Sequence, residues 1–134
     1  MTSRATGTFE VKVLPQPADA YADGATLGRL TLDKTFAGDL QGTSAGQMLT
    51  GLSPVEGSAG YVAIERFTGT LAGRRGTFIM QHLGTMQRGT PSLSVSVIPD
   101  SGSDALTGIA GTMTIVVSPG RHEYILEYTL PTAP

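Results

Sequence analysis

The residues of this sequence best suited to chemistry are a carboxylate and an imidazole, Glu65 and His82, that flank one predicted hairpin. If Arg74 and Arg75 form its tip, Phe67 pairs with His82, and Glu65 is a diagonal neighbour on the same face. A buried carboxylate beside an imidazole forms a pair whose proton moves near neutral pH, as general acid–base catalysis requires. We therefore take Glu65 and His82 as candidate catalytic residues. The alternative is structural: Glu65 only satisfies His82, or both lie in water at the end of a barrel.

The same alternation places an aromatic and apolar set of side chains on the face of Glu65 and His82. That face also carries Gly69 and Gly84, and small residues beside large ones suit the tapering interior of a barrel. We expect this face to line the interior and to contact a small apolar molecule, with ordinary core packing as the alternative. The candidate ligand-binding residues are Tyr61, Phe67, Phe78, Met80, Met86 and, on the last strand, Tyr124.

The opposite face of the hairpin carries Ile64, Ile79 and Leu83, which would lie outside and suit a subunit interface. Lys34 stands next to Asp33, and the simplest interpretation is a surface ion pair between them. The alternative is an ammonium group inside the barrel, where loss of water favours its neutral form. These two interpretations place Lys34 on opposite sides of its strand.

The sequence predicts neither a metal site nor a cofactor. It has two histidines and no cysteine, so a zinc site would need His82, His122 and Glu65 to converge. The loop with Asp100 and Asp104 lacks the spacing of a calcium-binding loop. Neither a phosphate-binding Gly-rich loop nor a Gly-x-Ser-x-Gly elbow occurs, which removes the usual sequence support for phosphate-loop and serine-hydrolase mechanisms.

The elements that must position these side chains are short stretches of alternating residues, separated by Gly, Pro and Asp. A loop through Tyr21 and Gly24 joins the first two, and residues 103–106 predict one helical turn. Because hairpin follows hairpin, we predict an all-β, closed eight-stranded antiparallel up-and-down barrel rather than a two-sheet sandwich. The eight predicted strands span 6–14, 27–36, 40–52, 60–72, 77–87, 92–98, 111–117 and 122–130.

Composition limits the number of domains and the kinds of partner that the protein can have. The 134 residues suffice for one core, so we expect a single β-barrel domain over 1–134. The 18 glycines lie singly between strand-forming residues, as many turns and kinked strands require. A formal net charge of -2 without a stripe of Lys and Arg argues against nucleic-acid binding. The sequence shows no export signal and no long apolar run, so we expect no membrane association and a cytoplasmic location.

Several segments of the chain are similar to one known family. They are residues 60–86 with the Gln81-His-x-Gly-x-Met86 pattern, residues 5–11, 32–40 and 97–103, and His122-x-Tyr-x-Leu-x-Tyr-x-Leu130. The chain resembles the uncharacterised bacterial domain of unknown function 3224 family, whose members adopt a barrel like that of allene oxide cyclase. The resemblance implies an eight-stranded barrel with a central cavity and a homo-oligomer, with a dimer favoured. It implies no established activity.

Three hypotheses for function differ in what the barrel interior must contain. In the first, a small apolar molecule is held in the cavity, and Glu65 and His82 fix its orientation. In the second, by analogy of fold with allene oxide cyclase, the protein is an isomerase or cyclase in which Glu65 or His82 moves a proton. In the third, the barrel is an oligomerising unit whose function lies on its outer surface.

Overall fold

Strands make up almost all of the chain in the computed structural model, which describes residues 2–17 and 27–131. The predicted loop through Tyr21 and Gly24 lies outside these ranges. Within them, no helix is long and apolar enough to cross a membrane. The strands are β1 Ser3–Gln16, β2 Leu27–Gly38, β3 Leu40–Leu52, β4 Ala59–Leu71, β5 Arg74–Gln87, β6 Thr90–Val97, β7 Ala110–Ser118 and β8 Arg121–Thr129.

The strands form a closed antiparallel barrel in which each pairs with its neighbours in sequence and β8 pairs with β1. The predicted eight-stranded up-and-down barrel is therefore confirmed. The connection between β6 and β7 contains the predicted helical turn, a 3-10 turn over Asp104–Leu106. Ser103 ties this connection to β5, because its hydroxyl accepts a hydrogen bond from the Thr77 N–H at 3.0 Å. The connection thereby places Leu106, which is fully buried, over one end of the barrel interior.

The hairpin between β4 and β5 turns at Ala72 and Gly73, so the predicted tip at Arg74 and Arg75 is wrong. Ala72 and Gly73 have φ angles of 50° and 85°, the left-handed pair that a tight two-residue hairpin turn requires. The register differs from the predicted one by four residues. Since side chains alternate with a period of two, this even shift leaves every side chain on its predicted face. The observed pairs include Ala63 with His82, Glu65 with Met80 and Phe67 with Phe78.

Burial confirms which face of the hairpin points inward. Glu65, Phe67 and His82 are buried, whereas Ile64 and Leu83 on the alternate positions are exposed by 49% and 59%. The interior face of each strand is thus the one that carries the aromatic and small residues. This is the arrangement that the alternation in the sequence predicts.

Large side chains fill one end of the interior, which we call the packed end. The rings of Phe36 and Phe78 both pack on Phe67, with centroid distances of 5.6 and 5.2 Å. The Tyr124 hydroxyl accepts a hydrogen bond from the Leu40 N–H at 2.8 Å and donates one to the Ala37 carbonyl at 3.0 Å. The packed end consists of Phe36, Leu40, Phe67, Leu71, Phe78, Leu106 and Tyr124, all buried.

Candidate functional site

A buried ionic cluster crosses the interior on four consecutive strands, at Lys34, Ser44, Glu65 and His82; we call it the Glu65 cluster. Oε2 of Glu65 accepts hydrogen bonds from Lys34 Nζ at 2.7 Å and from His82 Nε2 at 2.6 Å. Oε1 of Glu65 accepts one from the Ser44 hydroxyl at 2.7 Å. The carboxylate is thus held by three donors from three different strands.

A glycine on β3 lets the backbone at Glu65 approach closely. Gly46 on β3 lies directly opposite Glu65 on β4. A Cβ at Gly46 would approach Cα and Cβ of Glu65 to 2.7 Å, closer than real side chains come. The ammonium of Lys34 also lies 4.8 Å from the centre of the Phe9 ring, a distance at which an aromatic face attracts a cation. A glycine and an aromatic ring therefore complete the surroundings of the cluster.

The cluster keeps Glu65 ionised. Burial would raise the pKa of the Glu65 carboxyl, but the hydrogen bond from His82 and the charge of Lys34 outweigh it and lower that pKa to about 2. An ionised carboxylate can only accept hydrogen bonds, so Nε2 of His82 must carry the proton that it shares with Glu65. A carboxylate with so low a pKa is a weak base at neutral pH.

The interpretation of Lys34 as the surface partner of Asp33 is wrong. Lys34 is 6% exposed and points inward beside Leu32 and Phe36, whereas Asp33 on the alternate position is exposed. Its partner, Glu65, lies 31 positions away in sequence. Such a non-local pair leaves no mark in the sequence around Lys34.

Sequence reasoning also missed Ser44. Its position has a detectable signal, because Ser44 lies four residues after the buried Leu40 on the inward face of β3. A hydroxyl at an inward position of a strand needs a hydrogen-bond partner. Here the partner is the Glu65 carboxylate.

An open pocket of about 340 Å³ lies at the mouth of the barrel, on the side of the Glu65 cluster away from the packed end; we call it the end cavity. Its walls are mainly apolar, and the described residues that line it include no charged side chain. The ring of Tyr61, one of its lining residues, lies 6.3 Å from that of His82, centroid to centroid. Other lining residues are Met48, Thr50, Ala59, Gly84, Met86 and Leu93.

Tyr61 is positioned by a glycine. It pairs with Gly84 on β5, and a Cβ on Gly84 would collide with the Tyr61 ring. The missing side chain lets the ring pack directly on Gly84 of the neighbouring strand. Burial, and to a smaller extent the negative charge of Glu65, raise the pKa of the Tyr61 hydroxyl. The phenol therefore remains protonated and neutral.

The predicted site residues divide between the two ends of the interior. Glu65 and His82 are in direct contact, and Tyr61 and Met86 line the end cavity. The candidates Phe67, Phe78, Met80 and Tyr124 are buried in the hydrophobic core and do not line this cavity. A catalytic role for the first pair and ligand contact by the second pair remain predictions.

His122 does not join the Glu65 cluster. Its ring packs on Phe9, with 5.1 Å between ring centroids, and the residue is partly exposed on β8. Over 2–17 and 27–131, no three His, Cys, Asp or Glu side chains come together in a group suited to hold a metal ion. The convergence that a zinc site would need is not found there.

The outer face of the hairpin is apolar, as the sequence predicts. Ile64 and Leu83 are exposed there, and with Leu49 and Val62 they line a surface groove of about 430 Å³. Ile79 is half-buried, since the β6–β7 connection crosses it and its N–H donates to the Ser101 hydroxyl at 3.0 Å. Assembly through this face, as a homo-oligomer, remains a prediction.

Comparison with known proteins agrees with this fold. The DUF3224 family model, described as a protein of unknown function, matches residues 5–128. A crystal structure of a DUF3224 family protein of unknown function from Shewanella oneidensis MR-1 is 45% identical; the match covers 99% of this chain and 100% of that one, with a TM-score of 0.92. No curated protein matches this chain. The similarity therefore identifies a fold and a family, and any function must be inferred from the candidate site itself.

Proposed function

This chain belongs to the DUF3224 family, and we propose that its barrel binds a small, neutral, mainly apolar molecule in the end cavity. The observation that supports this proposal is the contrast within one interior. Aromatic and leucine side chains fill one end, and about 340 Å³ is left at the other. Ligand pockets usually begin at about 300 Å³ and are mostly apolar with a few polar groups, so the end cavity is of suitable size and character.

Small residues account for the space. Ala59, Gly60 and Gly84 line the end cavity, and Ala63 lies opposite His82 on the same inward face. A ligand would supply the apolar contacts that these positions lack, and removal of apolar surface from water would drive its binding. Met86, with its flexible and polarisable side chain, can adapt to an irregular ligand.

The polarity of the walls favours a neutral ligand. The described lining residues offer the hydroxyls of Tyr61, Thr50, Thr85 and Ser92 but no ionised group. A charged ligand would lose its hydration there without gaining a counter-charge in the wall, which is costly. We therefore expect an apolar body that carries few polar atoms.

The direct test uses naphthalene as a neutral apolar probe, because a cavity of roughly 150 Å³ already holds benzene. We expect the unmodified protein to bind naphthalene in calorimetric or fluorescence titrations. In Thr50→Phe the new ring occupies the end cavity, and affinity should fall at least about tenfold, or about 1.4 kcal/mol. Thr43→Phe is the matched control, since Thr43 lies on the exposed face of the same strand. Equal affinities of both variants, or no binding by the unmodified protein, would refute the proposal.

Native mass spectrometry of gently purified protein complements this titration. A retained small molecule, present in the unmodified protein and Thr43→Phe and absent from Thr50→Phe, is the expected result. The same spectra report the number of subunits. They therefore also test the predicted homo-oligomer.

The second candidate function is that of an isomerase or cyclase. The observation that favours it is the 2.6 Å contact between His82 Nε2 and Glu65 Oε2, one layer from the end cavity. The Lys34 ammonium argues against it, because it stabilises the carboxylate and weakens it as a base. If this pair transfers protons, the protein should accelerate the exchange of the α-hydrogens of cyclohexanone in heavy water. Glu65→Gln should lose this acceleration. Equal exchange rates with the variant, with the unmodified protein and without protein would count against this candidate.

A further inference from the structure

We infer that the outer wall of β2 to β5 is the interface of a homodimer, in which a second copy of this chain packs on the exposed side chains of Leu49, Val62, Ile64 and Leu83. We call these residues the outer patch. The inference goes beyond the proposed ligand binding and does not depend on it. It rests on the continuity of the patch, on the charge of the wall around it and on the area of that wall.

The outer patch is one continuous apolar surface. Leu49, Val62 and Leu83 lie side by side on three adjacent strands, because Leu49 pairs with Val62 and Val62 pairs with Leu83. Ile64 is the next outward residue on β4. Each of these side chains is about half exposed, between 48% and 59%, and they line the same surface groove. Single exposed apolar residues are common on proteins, but a contiguous block usually marks an interaction site.

Neutral residues border the patch. Gln47 and Gln81 lie on either side of Ile64 in the register of the sheet. The described outward positions of β3, β4 and β5 are charged only at Arg66 and Arg75, and both lie on the packed-end side of the patch. The centre of this wall therefore carries no charge that a partner would have to neutralise.

The opposite side of the barrel, formed by β8 and β1, has the surface of a solvated protein. Its outward side chains form the exposed ion pairs of Arg4 with Glu127 and of Arg121 with Glu123. Protein interfaces differ from the rest of a surface by the loss of charged residues at their centre. The wall of β3 to β5 shows this loss, and the wall of β8 and β1 does not. The charged outward residues of β8 and β1 are Arg4, Glu10, Lys12, Arg121, Glu123 and Glu127.

The area of the wall is that of a dimer interface. The strands β2 to β5 are 12 to 14 residues long. At about 4.8 Å between strands and about 3.3 Å per residue, they form a wall of roughly 800 Å². One partner contributes about 800 Å² to a stable interface of standard size. A short peptide would cover only the groove, whereas a second barrel wall covers the neutral surface along its length.

A second copy of the same chain fits this surface because the surface is complementary to itself. Most soluble oligomers contain identical chains, and a two-fold interface sets the same patch of both chains together. A two-fold axis that crosses the strands between Val62 and Ile64 places apolar side chains on apolar side chains. It also keeps the Arg66 side chains of the two copies apart. The groove borders Ala63 and His82, whose side chains are buried. The second copy therefore covers the outer side of the wall that carries the Glu65 cluster.

Sedimentation analysis of the full chain and of two matched variants tests the interface. We expect the unmodified protein to be a dimer. Ile64→Glu places a carboxylate of each copy at the centre of the interface and should raise the dissociation constant at least about a hundredfold, because like charges and lost hydration oppose association. Val116→Glu is the control, since Val116 is 40% exposed on the outward face of β7, outside this wall. It should dimerise like the unmodified protein.

A mixing experiment distinguishes a broken interface from a damaged fold. Ile64→Glu and Ile64→Lys should each be monomeric, and an equal mixture should contain more dimer than either alone, because the introduced carboxylate and ammonium attract each other. The inference is overturned if the mixture shows no gain or if Ile64→Glu dimerises as tightly as Val116→Glu. It is also overturned if the unmodified protein is monomeric at about 100 μM, far above the dissociation constant of a standard interface. None of these results affects the proposed function, which depends on the binding of naphthalene.

Discussion

The two ends of the barrel interior are built on the same strands and the same alternation, yet they have opposite character. At the packed end, Phe67 and Leu71 are fully buried and the Phe36 ring packs edge-on against Phe67. At the other end, the same two β4 and β5 strands present Ala63 and Gly84, and about 340 Å³ remains. Side-chain volume at inward positions, and not the path of the chain, therefore separates core from cavity.

The Glu65 cluster lies at the boundary between the two ends. Elsewhere on the barrel, the pair of Arg4 and Glu127 is solvated, with side chains about half or more exposed. The Glu65 carboxylate has no exposure and relies entirely on Lys34, Ser44 and His82. Such a buried pair costs much desolvation free energy, and its charges tolerate the loss of a partner poorly. Substitutions at the two ends, and at buried and exposed ion pairs, should therefore change the stability of the protein by different amounts.

The largest expected loss of stability follows from the removal of a single aromatic side chain. Phe67→Ala at the packed end should lower the free energy of unfolding by about 4 kcal/mol, because it removes a buried ring and leaves a void. Met86→Ala at the end cavity should lower it by less than about 1 kcal/mol, since Met86 is 43% exposed. Guanidinium denaturation measures both. Similar losses in the two variants would mean that the two ends pack equally well.

The second expected loss of stability follows from the removal of a buried charge. Lys34→Met should lower the free energy of unfolding by about 3 kcal/mol, because it leaves the Glu65 carboxylate buried without its cation. Arg4→Met is the control and should cost less than about 1 kcal/mol, as expected for an exposed pair. If both variants lost the same stability in urea denaturation, burial would not distinguish the two ion pairs.

The third difference appears in the pH dependence of stability. The pKa of Glu65 is about 2 in the folded protein, below its ordinary value of 4.5. A lowered pKa favours the folded state above pH 4.5, and this stabilisation is lost as the pH falls from about 4.5 to about 2. The loss from this one group is on the order of 3 kcal/mol at most, because one pKa unit corresponds to about 1.4 kcal/mol.

Denaturation at a series of pH values from 7 to 2 measures this loss. Glu65→Gln is the matched variant, since it keeps the shape of the side chain and cannot titrate. Its stability should fall less steeply with acid over that window than the stability of the unmodified protein. Parallel curves for the two proteins would show that Glu65 does not have a lowered pKa.

The smallest effect is expected at the wall of the end cavity. Gly84→Ala should lower the free energy of unfolding by about 1 kcal/mol, because the new methyl group forces the partly exposed Tyr61 ring to move. Gly60→Ala is the control in the same wall, where a Cβ would make only ordinary contacts, at 3.5 Å or more. Thermal denaturation gives the stabilities. Equal melting temperatures of the two variants would mean that Gly84 is not needed to place Tyr61.

Part of the candidate site could be predicted from local pattern. The alternation in β4 and β5 places Glu65 and His82 on the inward face, and burial confirms this placement. The exact pairing could not be predicted, because a tip at Arg74 and Arg75 and a tip at Ala72 and Gly73 give the same faces. Only the left-handed backbone at the turn distinguishes them.

The sequence by itself determined the eight strands, their antiparallel order and the inward face of the central hairpin, because alternation is a local property of two or three neighbouring residues. Only the tertiary structure decided that Lys34 and Ser44 bind Glu65 and that the barrel is filled at one end and leaves an open pocket at the other. The contacts of Glu65 join residues that are 21 and 31 positions apart in the chain. They depend on the register of every intervening pair, which no local pattern carries.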